Sequence, residues 1–453
     1  MNHFDKLDKI LDDSLESSLD ELASLVAIPS IAAQNQGLDE CAQNVSEMLK
    51  QRGFECEIMD GGKAPIVLAE RKGKSDKTII LYNHYDVQPP EPLELWESPP
   101  FEATRRGNKV FGRGISDDKG HFVSRLHAID AILEAHGELP CNVKFMLEGG
   151  EEIGSPDVPD FVKNNVDKLA ADACIWEFGS VNHEEIPQQI LGMRGICYVE
   201  LQVESLSIDV HSGLGGSIFP NAAWRLIWAL NTIKNEQEEI LIEGHYDNVV
   251  APTDRDRELV SALPYEGDDH RQRYGVENFL RGVDGHPDLY IQEVFEPTAT
   301  ISGLTSGYQG QGTKTVQPAK ASAKVDFRLV PHQTPEEILE KLRLHLDKHG
   351  FNDVLVEYLG GEAPGRTDPD DPFVETVVNA SKDVYEKPQL IVPMLGGSGP
   401  NHAFLHYLDL PVATCGLGYP GSQVHAPNEN IRVDLYLKAS KHMARIFMDF
   451  AKS

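Results

Sequence analysis

Three successive strand-like stretches end on groups that bind metals or move protons. The run 78–83 (TIILYN) stops at His84-Tyr85-Asp86. Val143, Phe145 and Leu147 alternate and lead into Glu148-Gly149-Gly150-Glu151-Glu152. Residues 172–176 (DACIW) run straight into Glu177. Between the first two, a helix is expected to start near Lys119, with Phe122, Leu126, Ile129 and Leu133 on one face. Strands joined through a helix build an open α/β sheet, and such sheets form their sites at the carboxyl ends of the strands.

The rest of the chain fits around that sheet. Leu7, Ile10, Leu11, Leu15, Leu19, Leu22 and Leu25 predict an amphipathic helix over 4–26. A second helix over 43–53 should end at Gly53. After about residue 192 the character changes. Residues 196–203 and 321–329 alternate as strands, and 353–358 reads as a third. Helices are expected over about 220–233 and from Thr334-Pro335-Glu336-Glu337, read as a capping box with proline at N1, to about 349. Residues 234–290 read as polar, irregular surface elaboration. From about 364 the pattern of the first part returns: helices over 372–385 and 433–450, and a strand at 411–415 before a Gly-rich loop with His425. The expected fold is α/β: a mixed-sheet catalytic domain with helices on both faces, interrupted by an inserted α+β (ferredoxin-like) domain. The boundaries are 1–192 and 364–453 for the first domain and 193–363 for the insert.

Composition narrows the partners. The 453 residues include 41 Lys+Arg and 72 Asp+Glu, a net charge of −31, which argues against nucleic acid and anionic membrane. Hydrophobic residues at 40% and charged ones at 25% fit a globular chain. The six cysteines are scattered, without CxxC, so neither a disulfide framework nor a thiolate zinc site is expected. The N-terminal stretch MNHFDKLDKILDDS is charged, unlike a signal peptide, and no apolar run approaches 18 residues. The expectation is a soluble, cytoplasmic protein.

The polar residues at the strand ends are His84, Asp86, Asp117, Asp118, Glu151, Glu152, Glu177 and His425. Singly, each is ordinary: Asp117-Asp118 near glycines suits a turn, and Glu151-Glu152 suits a solvated surface. Together they form a nitrogen and oxygen donor set suited to Zn²⁺ or Mn²⁺. So many acids converging would repel each other without cations. Two divalent ions, about 3.5–4 Å apart, make hydrolysis the natural chemistry. No GxSxG surrounds Ser398, which is therefore not a nucleophile, and no Walker lysine pattern supports nucleotide binding.

An ordered set of motifs then resembles the M20 metallopeptidases, and within them the carnosinase-like dipeptidases of the cytosolic non-specific type. It runs His84-Tyr-Asp86-Val-Gln-Pro, Trp96, Pro100-Phe101, Gly112-Arg-Gly-Ile-Ser-Asp117-Asp118-Lys-Gly120 and Glu148-Gly-Gly-Glu151-Glu152-Ile-Gly-Ser155. It continues through His211-Ser-Gly213, Lys314-Thr315-Val316, Arg328-Leu-Val-Pro331, Gly396-Gly-Ser398 and His425, and so covers nearly the whole chain.

The resemblance implies roles residue by residue. Asp117 would bridge two metal ions, with His84 and Glu177 completing one site and Glu152 and His425 the other. Asp86 would orient His84. Glu151 would be the general base that activates a metal-bridging water and then protonates the leaving amine. The peptide between Asp117 and Asp118 would be cis. His211 would stabilise the oxyanion, reaching into the neighbouring subunit of a homodimer formed through the inserted lid. Arg328, aided by Thr315 and Ser398, would hold a substrate carboxylate. The implied activity is hydrolysis of dipeptides or short peptides with a free C-terminal carboxylate. The alternative is an N-acyl amino acid deacylase (deacetylase or desuccinylase): carnosinase-type members usually carry aspartate where this chain has Glu177, and deacylases often carry glutamate. A non-catalytic peptide-binding or assembly relative is a third reading, set against the completeness of the ligand set and base.

Overall fold

A computed structural model describes residues 4–452, so Met1–His3 of the charged N-terminal stretch lie outside the described residues. The chain forms two compact units. One runs to Gly192 and takes in Arg366–Pro393 and the chain from Pro400; the other comprises Met193–Gly365 and Met394–Gly399.

The first unit is built on a six-stranded mixed sheet. Its order is Glu55–Met59, Ile66–Arg71, Cys141–Glu148, Ser75–His84, Ala173–Trp176, Val412–Thr414. The last four strands run parallel, and the first two are antiparallel additions at one edge. Strand periodicity decides which residues face which layer. Ile79, Leu81, Val143, Phe145, Leu147 and Ile175 face a core filled by the helices Asp5–Val26, Leu38–Gln51, Lys119–His136, Pro372–Ser381 and Val433–Phe450. Ile80, Tyr82, Met146, Cys174 and Trp176 face the opposite core, covered by the helices Val158–Asn164 and Asn401–Tyr407. The expected helices on both faces are therefore present.

The helix Lys119–His136 departs from a one-sided pattern. Phe122, Leu126 and Ile129 are buried as expected, but so are Lys119, His121, Arg125 and His127. A second, polar face is thus also taken out of water, and that face serves the site.

The second unit contains a four-stranded antiparallel sheet ordered Thr298–Ser306, Lys320–Leu329, Gly195–Glu204, Leu355–Glu362. The helices Ala222–Ile233 and Pro335–Lys348 pack on one face, through Leu226, Ala229, Ile338 and Leu342 against Val199, Leu201, Ala323, Val325 and Phe327. Strand, helix, strand, strand, helix, strand in this order is the ferredoxin-like arrangement. At the start of the second helix, Thr334 Oγ1 accepts from the Glu337 N–H at 3.3 Å. The box is only half made, because the Glu337 carboxylate turns to Asn248 and Lys341 instead.

Residues 234–290 are not irregular. They contain the helices Asp254–Ser261 and Gly267–Tyr274 and the start of Asp288–Phe295. Val260, Ile291, Val294 and Phe295 form a small core with Met394. Its apolar residues are too sparse among charges to show a helical period. Among the described residues no helix is long and apolar enough to cross a membrane. All six cysteines are free.

Candidate active site

Side chains from five segments of the first unit meet at the carboxyl ends of the parallel strands. His84 closes the central strand, and its Nε2 lies 3.0 Å from Asp117 Oδ1. His425 Nε2 lies 3.0 Å from the other oxygen, Asp117 Oδ2, and 3.1 Å from Glu152 Oε2. Asp117 thus offers one oxygen to each histidine. Glu151 Oε2 stands 4.0 Å from His84 Nε2. Potential ligand atoms of His84, Asp117 and Glu152 all fall within 4.8 Å of one another. The Asp117–Asp118 peptide is cis.

Asp86 is fully buried and orients two of these segments. Its carboxylate accepts from the Glu151 and Glu152 N–H groups at 3.2 and 3.0 Å. His84 Nδ1 lies 3.1 Å from the Asp86 carbonyl and 3.3 Å from Asp86 Oδ1. A proton on Nδ1 faces acceptors there, which leaves Nε2 as the ligating nitrogen. The turn that carries the two glutamates needs glycine: a Cβ on Gly149 would lie 2.4 Å from the Tyr85 hydroxyl oxygen.

Arg125, His121 and Gln88, to which the sequence assigns no role, hold the ligands in place together with the sequence candidate Asp118. Arg125 is fully buried; it donates to the Tyr82 carbonyl and Asn83 Oδ1 at 2.7 and 2.6 Å, and to the Trp176 and Glu177 carbonyls. One guanidinium thus ties the ends of the strands that deliver His84 and Glu177. Asp118 accepts from Asn83 Nδ2 at 2.5 Å and from the His84 N–H at 3.2 Å. His121 Nδ1 meets the Ser116 carbonyl at 2.8 Å, and its Nε2 accepts from the Leu417 N–H at 3.2 Å. Gln88 Nε2 donates to Glu152 Oε2 at 2.8 Å. His121 and Arg125 stand four residues apart on the helix Lys119–His136, but that spacing alone does not reveal the carbonyl groups they meet.

The electrostatics ask for positive charge at the centre. Burial disfavours ionised Asp117, yet hydrogen bonds from His425 and His84 hold its carboxyl well below the usual range. Hydrogen bonds to Asp117 and Glu152 push His425 up to about 10. Burial works against charge on His84, but its bonds to Asp117 and Asp86 win and raise it. Glu177 is raised by burial and by Glu151, and Glu151 by burial and by the Asp117 and Glu152 charges. Glu177 Oε2 is buried with no hydrogen-bond partner. Two imidazoles and three carboxylates, one of them with an unpartnered buried oxygen, fit divalent cations of the Zn²⁺ or Mn²⁺ kind.

The remaining sequence candidates lie in the second unit, where they form two pairs. Arg328 points off the apolar face of its strand, and its Nη1 donates to Ser398 Oγ at 2.8 Å. Arg194 braces this pair: its N–H donates to the Gly397 carbonyl at 2.9 Å, and its guanidinium to the Glu293 and Glu296 carbonyls. His211 Nδ1 accepts from the Gly213 N–H at 3.0 Å, and its Nε2 lies 3.4 Å from Thr315 Oγ1. An accepting Nδ1 puts the imidazole proton on Nε2.

Comparison with known proteins gives this arrangement its family. Residues 80–449 match the model of peptidase family M20/M25/M40, and the chain belongs to that family. It is 28% identical over 463 residues to the Cys-Gly metallodipeptidase dug1 of Schizosaccharomyces pombe, covering 96% of each chain. It is 26% identical over 479 residues to the Beta-Ala-His dipeptidase of Rattus norvegicus, covering 99% of this chain and 96% of the relative. Among solved structures it matches the M20 family metallo-carboxypeptidase Sso-CP2 from Sulfolobus solfataricus. There the TM-score is 0.90 and the identity 34%, with 96% of this chain and 99% of that one covered.

Proposed function

We propose that this chain is a metallodipeptidase that hydrolyses the peptide bond of dipeptides or short peptides bearing a free C-terminal carboxylate. The observation that carries the reading is Asp117, with one oxygen at each of two histidines inside a ring of carboxylates. His84, Glu177 and Asp117 would hold one divalent cation, and Asp117, Glu152 and His425 a second. Bound there, such ions would polarise the scissile carbonyl and acidify water near neutral pH.

The chain's own groups do the rest. Glu151 belongs to the cluster without being needed as a ligand, and its raised affinity for protons suits a group that takes one and returns it. It accepts a proton from the attacking water as the new C–O bond forms. It then gives that proton to the departing amine nitrogen as the C–N bond breaks. Asp86 keeps His84 and the Glu151–Glu152 turn in register. His211 presents an Nε2–H, the donor a developing oxyanion requires; one such donor is worth roughly 3–4 kcal/mol. Arg328, with Ser398 on one of its nitrogens, retains donors for a substrate carboxylate, and Thr315 would add a further hydrogen bond.

A homodimer formed through the second unit belongs to this reading, with His211 serving the partner's site. Trp224 and Trp228 support it: both are more than half exposed, on one helix, with ring centroids 6.0 Å apart. Six free cysteines support a cytoplasmic setting. The similarity to Sso-CP2 favours one second reading, removal of a C-terminal residue from longer peptides. The N-acyl amino acid deacylase is not favoured, because the relatives named above are peptidases.

The test uses protein stripped with chelator and reloaded with Mn²⁺ or Zn²⁺, assayed on dipeptides, longer peptides and N-acetyl amino acids. Metal-dependent cleavage confined to dipeptides or very short peptides supports the proposal. Equal cleavage of long peptides favours the carboxypeptidase reading, and preferential deacylation overturns both.

A further inference from the structure

We propose that Glu429 is a positioning residue that sets Asp117 and His425 relative to each other, and so fixes how tightly the site holds its cations. The inference rests on the metal-site reading above.

Glu429 lies four residues after His425, at the end of the same loop, and is fully buried. Its carboxylate does not face the cluster. It reaches into the neighbouring loop, where each oxygen accepts two hydrogen bonds. Oε1 takes the N–H groups of Ser116 and Asp117, at 2.9 and 3.0 Å. Oε2 takes the N–H of Gly114 at 2.9 Å and Arg113 Nη1 at 2.8 Å. The Glu429 carbonyl also accepts from the Gly112 N–H at 3.0 Å.

Backbone N–H groups that converge in a turn make an anion nest. Here a carboxylate of the protein fills it, so the loop 112–117 is wrapped around the Glu429 side chain. The last N–H in that nest belongs to Asp117, whose side chain lies between His84 and His425. The loop is closed on its far side as well. The strand Asn430–Arg432 follows Glu429 directly and pairs with Lys109–Phe111, which leads into Gly112. Asn430 Nδ2 donates to the Gly421 and Asn428 carbonyls at 3.0 and 3.1 Å, bracing the turn that bears His425. Two segments far apart in sequence, each carrying a candidate ligand, are therefore registered through one buried carboxylate.

The chemistry predicts what a change would do. Glutamine has the same shape but only one acceptor oxygen, so some of the four donors would face an amide N–H₂. Aspartate keeps the charge and an Arg113 partner but is one methylene shorter, and cannot fill the nest to the same depth. Partners that orient ligands typically change metal affinity about 10–100-fold when altered.

The experiment measures Co²⁺ binding to chelator-stripped wild type, Glu429→Gln, Glu429→Asp and, as a control for lost stability, Ile446→Ala in the core of the first unit. Binding is read by competition with a chromogenic chelator and by the visible absorption of the bound ion. Circular dichroism checks that each variant is folded. Both Glu429 variants should bind Co²⁺ about 10–100-fold more weakly, with altered absorption, while Ile446→Ala loses stability and keeps affinity and spectrum. If Glu429→Gln does not fold, Glu429→Asp carries the test. Folded Glu429 variants with wild-type affinity and spectrum overturn the inference, as does an equal loss in Ile446→Ala. A wild type that takes up no Co²⁺ refutes the metal reading itself, a distinct result.

Discussion

Replacing Arg125 with methionine should cost the first unit about 4 kcal/mol. The guanidinium donates to the carbonyls of Tyr82, Trp176 and Glu177 and to Asn83 Oδ1, all inside the protein. Methionine fills much of the same volume and removes the cost of burying a cation, so the loss is less than four charge-assisted bonds. What remains are four acceptors without that donor. A buried polar group left without its partner costs about 1–3 kcal/mol, and the low end of that range gives about 4 kcal/mol in all. With a urea dependence of about 3 kcal/mol per molar, the midpoint falls by about 1.3 M. Trp176 lies against Tyr82 with centroids 4.1 Å apart, so near-ultraviolet circular dichroism reports from the right place. The same variant should weaken metal binding, because Glu177 and His84 lose their common tie. A midpoint within about 0.3 M of wild type would refute the argument that Arg125 holds the two strand ends.

Three further outcomes follow from the site and the buried histidines. Glu151→Gln should lower kcat about 10²–10⁴-fold while metal stoichiometry, read by elemental analysis, stays at the wild-type value. Arg328→Met should lower kcat/KM about 10–150-fold for dipeptides with a free carboxylate, the worth of one charged hydrogen bond, and much less for their amides, as read in steady-state assays. Burial lowers His442 to about 4, against an ordinary value near 6.5, so the unfolded chain binds the extra proton between those two values. Stability is then complete above about pH 6.5 and is lost as pH falls toward 4. Urea unfolding should show His442→Gln losing about 2 kcal/mol less than wild type between pH 7.5 and 5.

Much of the architecture is legible in the residues because its periods are clean. The alternation at 196–203 and 321–329 marks two strands of the second unit, and Leu7 to Leu25 mark the first helix. The strands Glu55–Met59 and Ile66–Arg71 and the second-unit strand Thr298–Ser306 were not expected: the first alternates too weakly, the second is four apolar residues followed by Glu70-Arg71, and the third is largely exposed. Residues 234–290 hid their helices because Val260, Ile291 and Phe295 pack on Met394, more than a hundred positions further on for Val260. The acids and histidines of the cluster could be read from strand ends. Glu429 and Arg125 could not, since Glu429 meets Asp117 across 312 positions and Arg125 works through three backbone carbonyls and the Asn83 side chain.

Everything proposed for the site depends on Asp117 standing between two cations. Anomalous diffraction from crystals soaked in Mn²⁺ or Zn²⁺, collected at the metal's absorption edge, tests it directly. Two peaks are expected in each subunit, one against His84, Asp117 and Glu177 and the other against Asp117, Glu152 and His425. A single peak that leaves one oxygen of Asp117 without metal, or none at Asp117, contradicts this arrangement.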